Sequence, residues 1–150
     1  MAETAEKAMA LGYEIGLCHD LLEDTGTTAT GLRDALQNFG YTESDSVHIT
    51  AAVVELTDVF TRGAYPELSK ASRKEREAER LTMISPMAQT VKYADLISNI
   101  AWVMKHDRGN AETYLQKKQR LLTLMDKGER ELRLEAIALV VASLRELRPA

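Results

Sequence analysis

Apolar residues return every three or four positions along nearly the whole chain, and no stretch alternates apolar with polar side chains in the two-residue rhythm of a half-buried strand. A chain patterned in this way folds as all-α, a compact multi-helix arrangement in which amphipathic helices close on a shared core. Local punctuation supplies the boundaries. An alanine-rich helix is predicted from Glu3 to Leu11, ending at Gly12, and a second from about Tyr13 to Glu23, halted by the turn Thr25-Gly26-Thr27-Thr28. Thr28 or Thr30 caps a short third helix ending in Gln37-Asn38-Phe39-Gly40, with Gly40 as C-cap. Thr42 or Ser44 caps a fourth, whose inward face is read as Val47, Ala51, Val54 and Thr57. The segment from Asp58 to Ser69 holds Gly63 and Pro66 and reads as a mobile loop of functional length.

Lys70 to Arg80 carries opposite charges at helical spacing and is predicted to be a helix with a solvated face. Ser85-Pro86 then pairs an N-cap with proline at the first helical position. The helix it opens runs through Ala88, Val91, Ala94, Asp95, Ile97, Ile100 and Trp102 to about Lys105 and should be central. Asp95 would be costly to bury there without a partner, and Asn99 lies one turn further on. Two amphipathic helices close the chain, roughly Ala111 to Lys127 with Leu115, Leu122 and Met125 inward, and Glu129 to Leu147 with Leu134, Ile137, Val141 and Leu144 inward. Trp102 and the methionines are expected in the core, His48 and His106 on helix surfaces or ends. No repeat or linker divides the 150 residues, and their 45% hydrophobic content suits one domain with a sizeable core.

The formal net charge of −4, with both signs mixed along the chain, leaves no electrostatic footprint for nucleic acid or an anionic membrane. Cys18 is the only cysteine, so neither an intrachain disulfide nor a thiolate zinc cluster can be built, and a small buried thiol is expected. No apolar run reaches membrane-spanning length, and the opening Met-Ala-Glu-Thr-Ala-Glu-Lys is too acidic for a secretory or transit signal. A soluble cytoplasmic protein is the expectation, with homo-oligomerisation left open.

One cluster stands apart from this ordinary composition. His19 and Glu23 are one helical turn apart, as are Asp20 and Asp24, so an imidazole and three carboxylates crowd neighbouring strips of surface. Such a cluster repels itself unless water, a metal ion or a cationic ligand compensates it. Leu17, Leu21 and Leu22 are interleaved with it and are expected to face the core while the acidic strip borders a cleft.

The run His19-Asp20-x-x-Glu23-Asp24-Thr25 is followed by Phe39-Gly40, by Leu56-Thr57-Asp58 and by Lys92-Tyr93-Ala94-Asp95-x-x-x-Asn99. In that order these motifs resemble the HD-domain phosphohydrolases, and within them the branch that removes pyrophosphate from guanosine tetra- and pentaphosphate, as in RelA/SpoT enzymes and their small single-domain relatives. The resemblance implies that His19, Asp20 and Asp95 are metal ligands, that Glu23 and Asp24 act on water and phosphate, and that Asn99 lies on the substrate side. It also likens Tyr114 to a family aromatic near the nucleotide, beside the plainer reading of a packing residue. The implied cofactor is a divalent metal, manganese above all, and the implied substrate a phosphorylated guanine nucleotide. By the same alignment the family's first histidine, on an earlier helix, falls before Met1, so the chain reads as an HD-type domain without that first helix. Three functions stay open: removal of the 3′-pyrophosphate, a catalytically impaired helical module that binds a nucleotide or a protein, and hydrolysis of some other phosphorylated nucleotide.

Overall fold

Hydroxyls placed ahead of apolar-periodic segments start four of the helices. Thr28, Thr42, Ser69 and Ser85 each accept an N–H from the first turn they precede, at 3.1 to 3.2 Å. The computed structural model describes residues 1–148, and these form nine helical segments with no strand among the described residues. They are α1 (Ala2–Ala8), α2 (Gly12–Cys18), α3 (Leu21–Asp24), α4 (Ala29–Asn38), α5 (Glu43–Leu56), α6 (Lys70–Leu81), α7 (Pro86–His106), α8 (Ala111–Leu124) and α9 (Arg130–Leu147). The expected all-α class is what the chain adopts, and none of the described helices is long and apolar enough to cross a membrane.

Helix α7 is the axis of the molecule, packing against α1, α2, α5, α8 and α9. Ala88, Val91, Ala94, Leu96 and Ile100 on it are buried, and burying an aliphatic side chain of leucine or isoleucine size contributes roughly 1.5–3 kcal/mol. Tyr93 is buried with them, and its hydroxyl donates to the Met125 carbonyl at 2.7 Å and accepts the Gly128 N–H at 3.3 Å. Gln89, equally buried, donates through its amide nitrogen to the Leu81 and Thr82 carbonyls and accepts the Lys127 N–H at 2.8 Å. Two polar side chains of α7 thus fasten the end of α6 and the α8–α9 connection, each with its buried hydrogen-bonding groups satisfied.

Several inward faces differ from those read off the sequence. Gly12 is no terminator: α1 already ends at Ala8, Leu11 takes the left-handed conformation with φ of 60°, and Gly12 begins α2. A Cβ on Gly12 would stand 2.1 Å from the Ala5 carbonyl oxygen, and one on Gly16 2.8 Å from Ala2 Cα, so backbone meets backbone where α1 and α2 touch. The glycine side of α2, with Ile15 and Cys18, therefore faces inward, and Leu17 is 65% exposed rather than in the core. On α5 the buried residues are Ser46, Ile49, Thr50, Ala52, Val53 and Leu56, while Val47 and Val54 face out. On α9 they are Leu132, Ala136, Val140 and Ser143, with Leu134 exposed. Both helices carry apolar residues on two sides, so hydrophobicity alone does not choose between them: α5 turns the larger Ile49 and Leu56 inward, whereas α9 buries Ala136, Val140 and Ser143 and leaves Leu134 out. Trp102 is 57% exposed and stacks on His106, and Met83 also faces out, although Met125 is fully buried.

The connection from Asp58 to Ser69 is a loop, as its composition implies, but α6 holds it in place. Glu77, buried on a helix expected to be solvated, accepts the Val59 and Phe60 N–H groups at 3.0 Å each and pairs with Arg80. Arg80 in turn donates to the Glu55 carbonyl at 2.7 Å and the Thr57 carbonyl at 3.1 Å, and Arg73 donates to the Leu68 carbonyl.

Candidate functional site

The helix expected to run unbroken from Tyr13 to Glu23 is interrupted where the acidic cluster begins. His19 Nδ1 lies 2.8 Å from the Gly16 carbonyl oxygen, the acceptor that the Asp20 amide would use if α2 continued. Asp20 leaves helical geometry, with φ of −101° and ψ of 0°, and α3 restarts after it. One turn survives the break, because the Asp24 N–H donates to the Asp20 carbonyl at 2.9 Å. His19 and the three carboxylates therefore surround a kink rather than lining one straight strip.

The Gly16 contact settles which way the imidazole faces. A carbonyl accepts only, so Nδ1 carries the hydrogen, and Nε2 is presented to the carboxylates. Nε2 lies 2.8 Å from Asp20 Oδ2 and 3.8 Å from Asp95 Oδ1. A lone pair cannot rest against carboxylate oxygens, so a proton or a cation must stand between them. Asp95, buried in the middle of α7, brings the distant half of the motif to the kink. Its Oδ2 takes Lys92 Nζ at 2.8 Å and its Oδ1 accepts the Asn99 amide at 2.8 Å. Asn99 is thus engaged in holding Asp95. Burial alone would depress the pKa of Lys92, but contact with Asp95, aided by Asp58 and Asp20, leaves it raised.

Glu23 and Asp24 flank this group on α3 and are both exposed. Glu23 Oε1 accepts the Asp58 N–H at 2.5 Å. Partial desolvation raises the Glu23 pKa, a rise that the Asp58 bond opposes and the Asp58 and Asp20 charges reinforce. Asp20 is raised for the same first reason, against the pull of His19 and with the push of Asp95 and Asp24. Tyr114, half-buried on α8, joins from the far side: burial and the charge of Asp95 push its hydroxyl up to about 12. Cys18 is the small buried free thiol expected, and burial followed by the charge of Glu14 pushes its pKa up. His48 and His106 stay away from the group, with Nδ1 contacts to Ser44 Oγ and the Trp102 carbonyl.

Beside Asp58, the loop and α6 enclose a cleft of about 230 Å³ lined by Phe60, Arg62, Lys70, Lys74 and Glu77 among others. One wall of the region is therefore carboxylate-rich and the other cationic. The sequence motifs identify the first wall. They give Asp58 and Lys92 no role, although both lie inside the quoted runs, and they miss Lys118, whose i+4 spacing from Tyr114 was the available signal.

Among the described residues, no three His, Cys, Asp or Glu side chains converge to hold a metal ion as they stand, since Asp95 is turned to Lys92 and Asn99. The donor chemistry nevertheless fits a hard divalent ion. Adjacent ligands about 2.1 Å from such an ion lie about 3 Å apart, and the 2.8 and 3.8 Å separations at His19 Nε2 bracket that value. A histidine whose other nitrogen bonds a backbone carbonyl is also the usual form of an imidazole ligand. Comparison with protein-family models, curated proteins and solved structures returns no match to the chain.

Proposed function

We propose that the chain is an HD-type, divalent-metal-dependent phosphohydrolase, with His19, Asp20 and Asp95 as its metal-holding residues and a phosphorylated nucleotide as substrate. The observation that carries this reading is the orientation of His19, whose Nε2 is aimed by the Gly16 carbonyl at two carboxylates from distant parts of the chain. The motif order supports the finer assignment, removal of the 3′-pyrophosphate from guanosine tetra- or pentaphosphate. A cytoplasmic location suits that substrate and the single buried thiol.

A manganese ion bound there would supply positive charge to polarise a phosphoryl oxygen and acidify water. The protein's own groups account for the rest. Glu23, with a raised pKa and one oxygen held by the Asp58 amide, keeps its other oxygen to accept a proton from the attacking water. As the water oxygen bonds to phosphorus, the bond from phosphorus to the 3′ oxygen breaks. That oxygen takes up the proton that Glu23 accepted from the water, and the nucleoside di- or triphosphate and pyrophosphate separate. Asp24 adds negative charge beside Asp20 that favours a cation, and Asn99 and Lys92 hold Asp95 in place until one arrives.

One observation favours the binding-module reading: Lys92 already neutralises Asp95, so the buried carboxylate needs no ion for its stability. Pyrophosphate release from guanosine tetraphosphate with added manganese, measured beside an Asp20→Ala, Asp95→Ala double variant and with metal content determined for both, separates the two. Turnover lost in the variant supports the hydrolase. Absence of both turnover and bound metal in the native protein removes it in favour of the module.

A further inference from the structure

Lys118 has the surroundings of an anion-binding group. It sits on α8 one turn beyond Tyr114, and its ammonium lies over the Tyr114 ring, 5.2 Å from the centroid. It is half-buried, and among the described residues it takes part in no ion pair and no hydrogen bond. Its electrostatic neighbours include two further cations, Lys92 from α7 and Lys74 from α6, while Asp95 and Asp58 act on it more weakly. Burial and those two cations bring its pKa down to about 8. A flexible lysine stem normally carries its charge out to water, and an aromatic face compensates only part of what desolvation costs an ammonium.

Three helices thus bring cations to the border of the carboxylate cluster: Lys118 over the Tyr114 ring, Lys92 against Asp95 Oδ2 at 2.8 Å, and Lys74 lining the cleft beside Asp58. A single carboxylate would balance one of them. A phosphate or pyrophosphate group carries at least two charges and several acceptor oxygens, which matches converging ammonium donors. We infer that Lys118 is a specificity-determining residue that binds the terminal phosphate of a pyrophosphate group, with Lys74 and Lys92 beside it and the Tyr114 ring supporting the ammonium from behind. The identity of the anion as the group released in hydrolysis rests on the function proposed above; the cationic subsite itself does not.

The test is calorimetric titration of inorganic pyrophosphate into the full chain without metal, compared with Lys118→Met, Lys118→Arg, and Lys105→Met as a control for loss of one exposed lysine. The expected result is binding by the native chain, weakened about tenfold or more in Lys118→Met, since a charge-assisted hydrogen bond to phosphate is worth at least that factor. Lys118→Arg and Lys105→Met should retain most of the affinity. Pyrophosphate binding that is absent from the native chain, or equal in Lys118→Met, overturns the inference. Lys118-dependent binding without manganese-dependent turnover overturns the hydrolase reading alone and leaves the subsite standing.

Discussion

If Lys118 is an uncompensated cation in the resting protein, removing its charge should make the fold more stable. The fall from the ordinary 10.5 to about 8 corresponds to roughly 3 kcal/mol of disfavour for the ammonium. Partial access to water and attraction to the Tyr114 ring reduce the net penalty to about 1–2 kcal/mol. Methionine keeps the length of the stem and its packing against Tyr114 without the charge. For a chain of this size about 1 kcal/mol shifts Tm by roughly 2–4 °C, so Lys118→Met should melt a few degrees above the native chain in calorimetry at pH 7 and low salt. The gain should shrink as pH rises. The folded protein releases the Lys118 proton near pH 8 and the unfolded chain only near 10.5, so native stability climbs through that window and the variant's advantage fades. Added pyrophosphate should raise the Tm of the native chain and leave Lys118→Met nearly unchanged. A variant that melts at or below the native temperature would show that the ammonium is already compensated, and the electrostatic argument for the subsite would fail with it.

Three other outcomes test the remaining structure. Glu77→Gln leaves Arg80 without its buried partner and weakens the anchors on Val59 and Phe60, which should cost about 2–4 kcal/mol in urea unfolding; a cost under about 0.5 kcal/mol would mean that the loop does not depend on it. Gly12→Ala should cost about 1–3 kcal/mol because its methyl would collide with the Ala5 backbone, whereas Gly109→Ala, with nothing within 4 Å, should be tolerated. Asp20 and Glu23 have folded pKa values above their ordinary 3.8 and 4.5, so they contribute stability below those values that is lost as pH rises through the raised ones. Manganese should cancel that decline by favouring the ionised carboxylates, and melting curves from pH 4 to 7 that are the same with and without the ion would count against His19, Asp20 and Asp95 as its ligands.

What could be read in the sequence was local, and what could not depended on which helix met which. Thr28, Thr42, Ser69 and Ser85 cap their helices within one turn, and Gly40, with φ of 98°, ends α4, so each is encoded by its own neighbours. The Asp95–Asn99 contact is likewise fixed by helical spacing. The buried sides of α5 and α9 were not recoverable, because Val47 and Val54 compete with Ile49 and Val53 on hydrophobicity alone. Leu17 lost its place inward to Gly12 and Gly16, where close backbone approach outweighs side-chain area. For the candidate site, the motif residues showed where charge gathers. The break at His19 and the cations Lys92 and Lys118 depend on contacts that a linear pattern does not contain.

The hydrogen bond between the Asp58 amide and Glu23 has a consequence for timing. It lowers the pKa of that carboxyl, and Asp58 belongs to the same stretch of chain that walls the cationic cleft. Any ligand that draws the loop toward itself also pulls on the amide, and a stretched amide bond leaves Glu23 with greater affinity for protons. The basicity of the carboxylate is then set by the position of the loop, and a full cleft would have a stronger base beside it than an empty one.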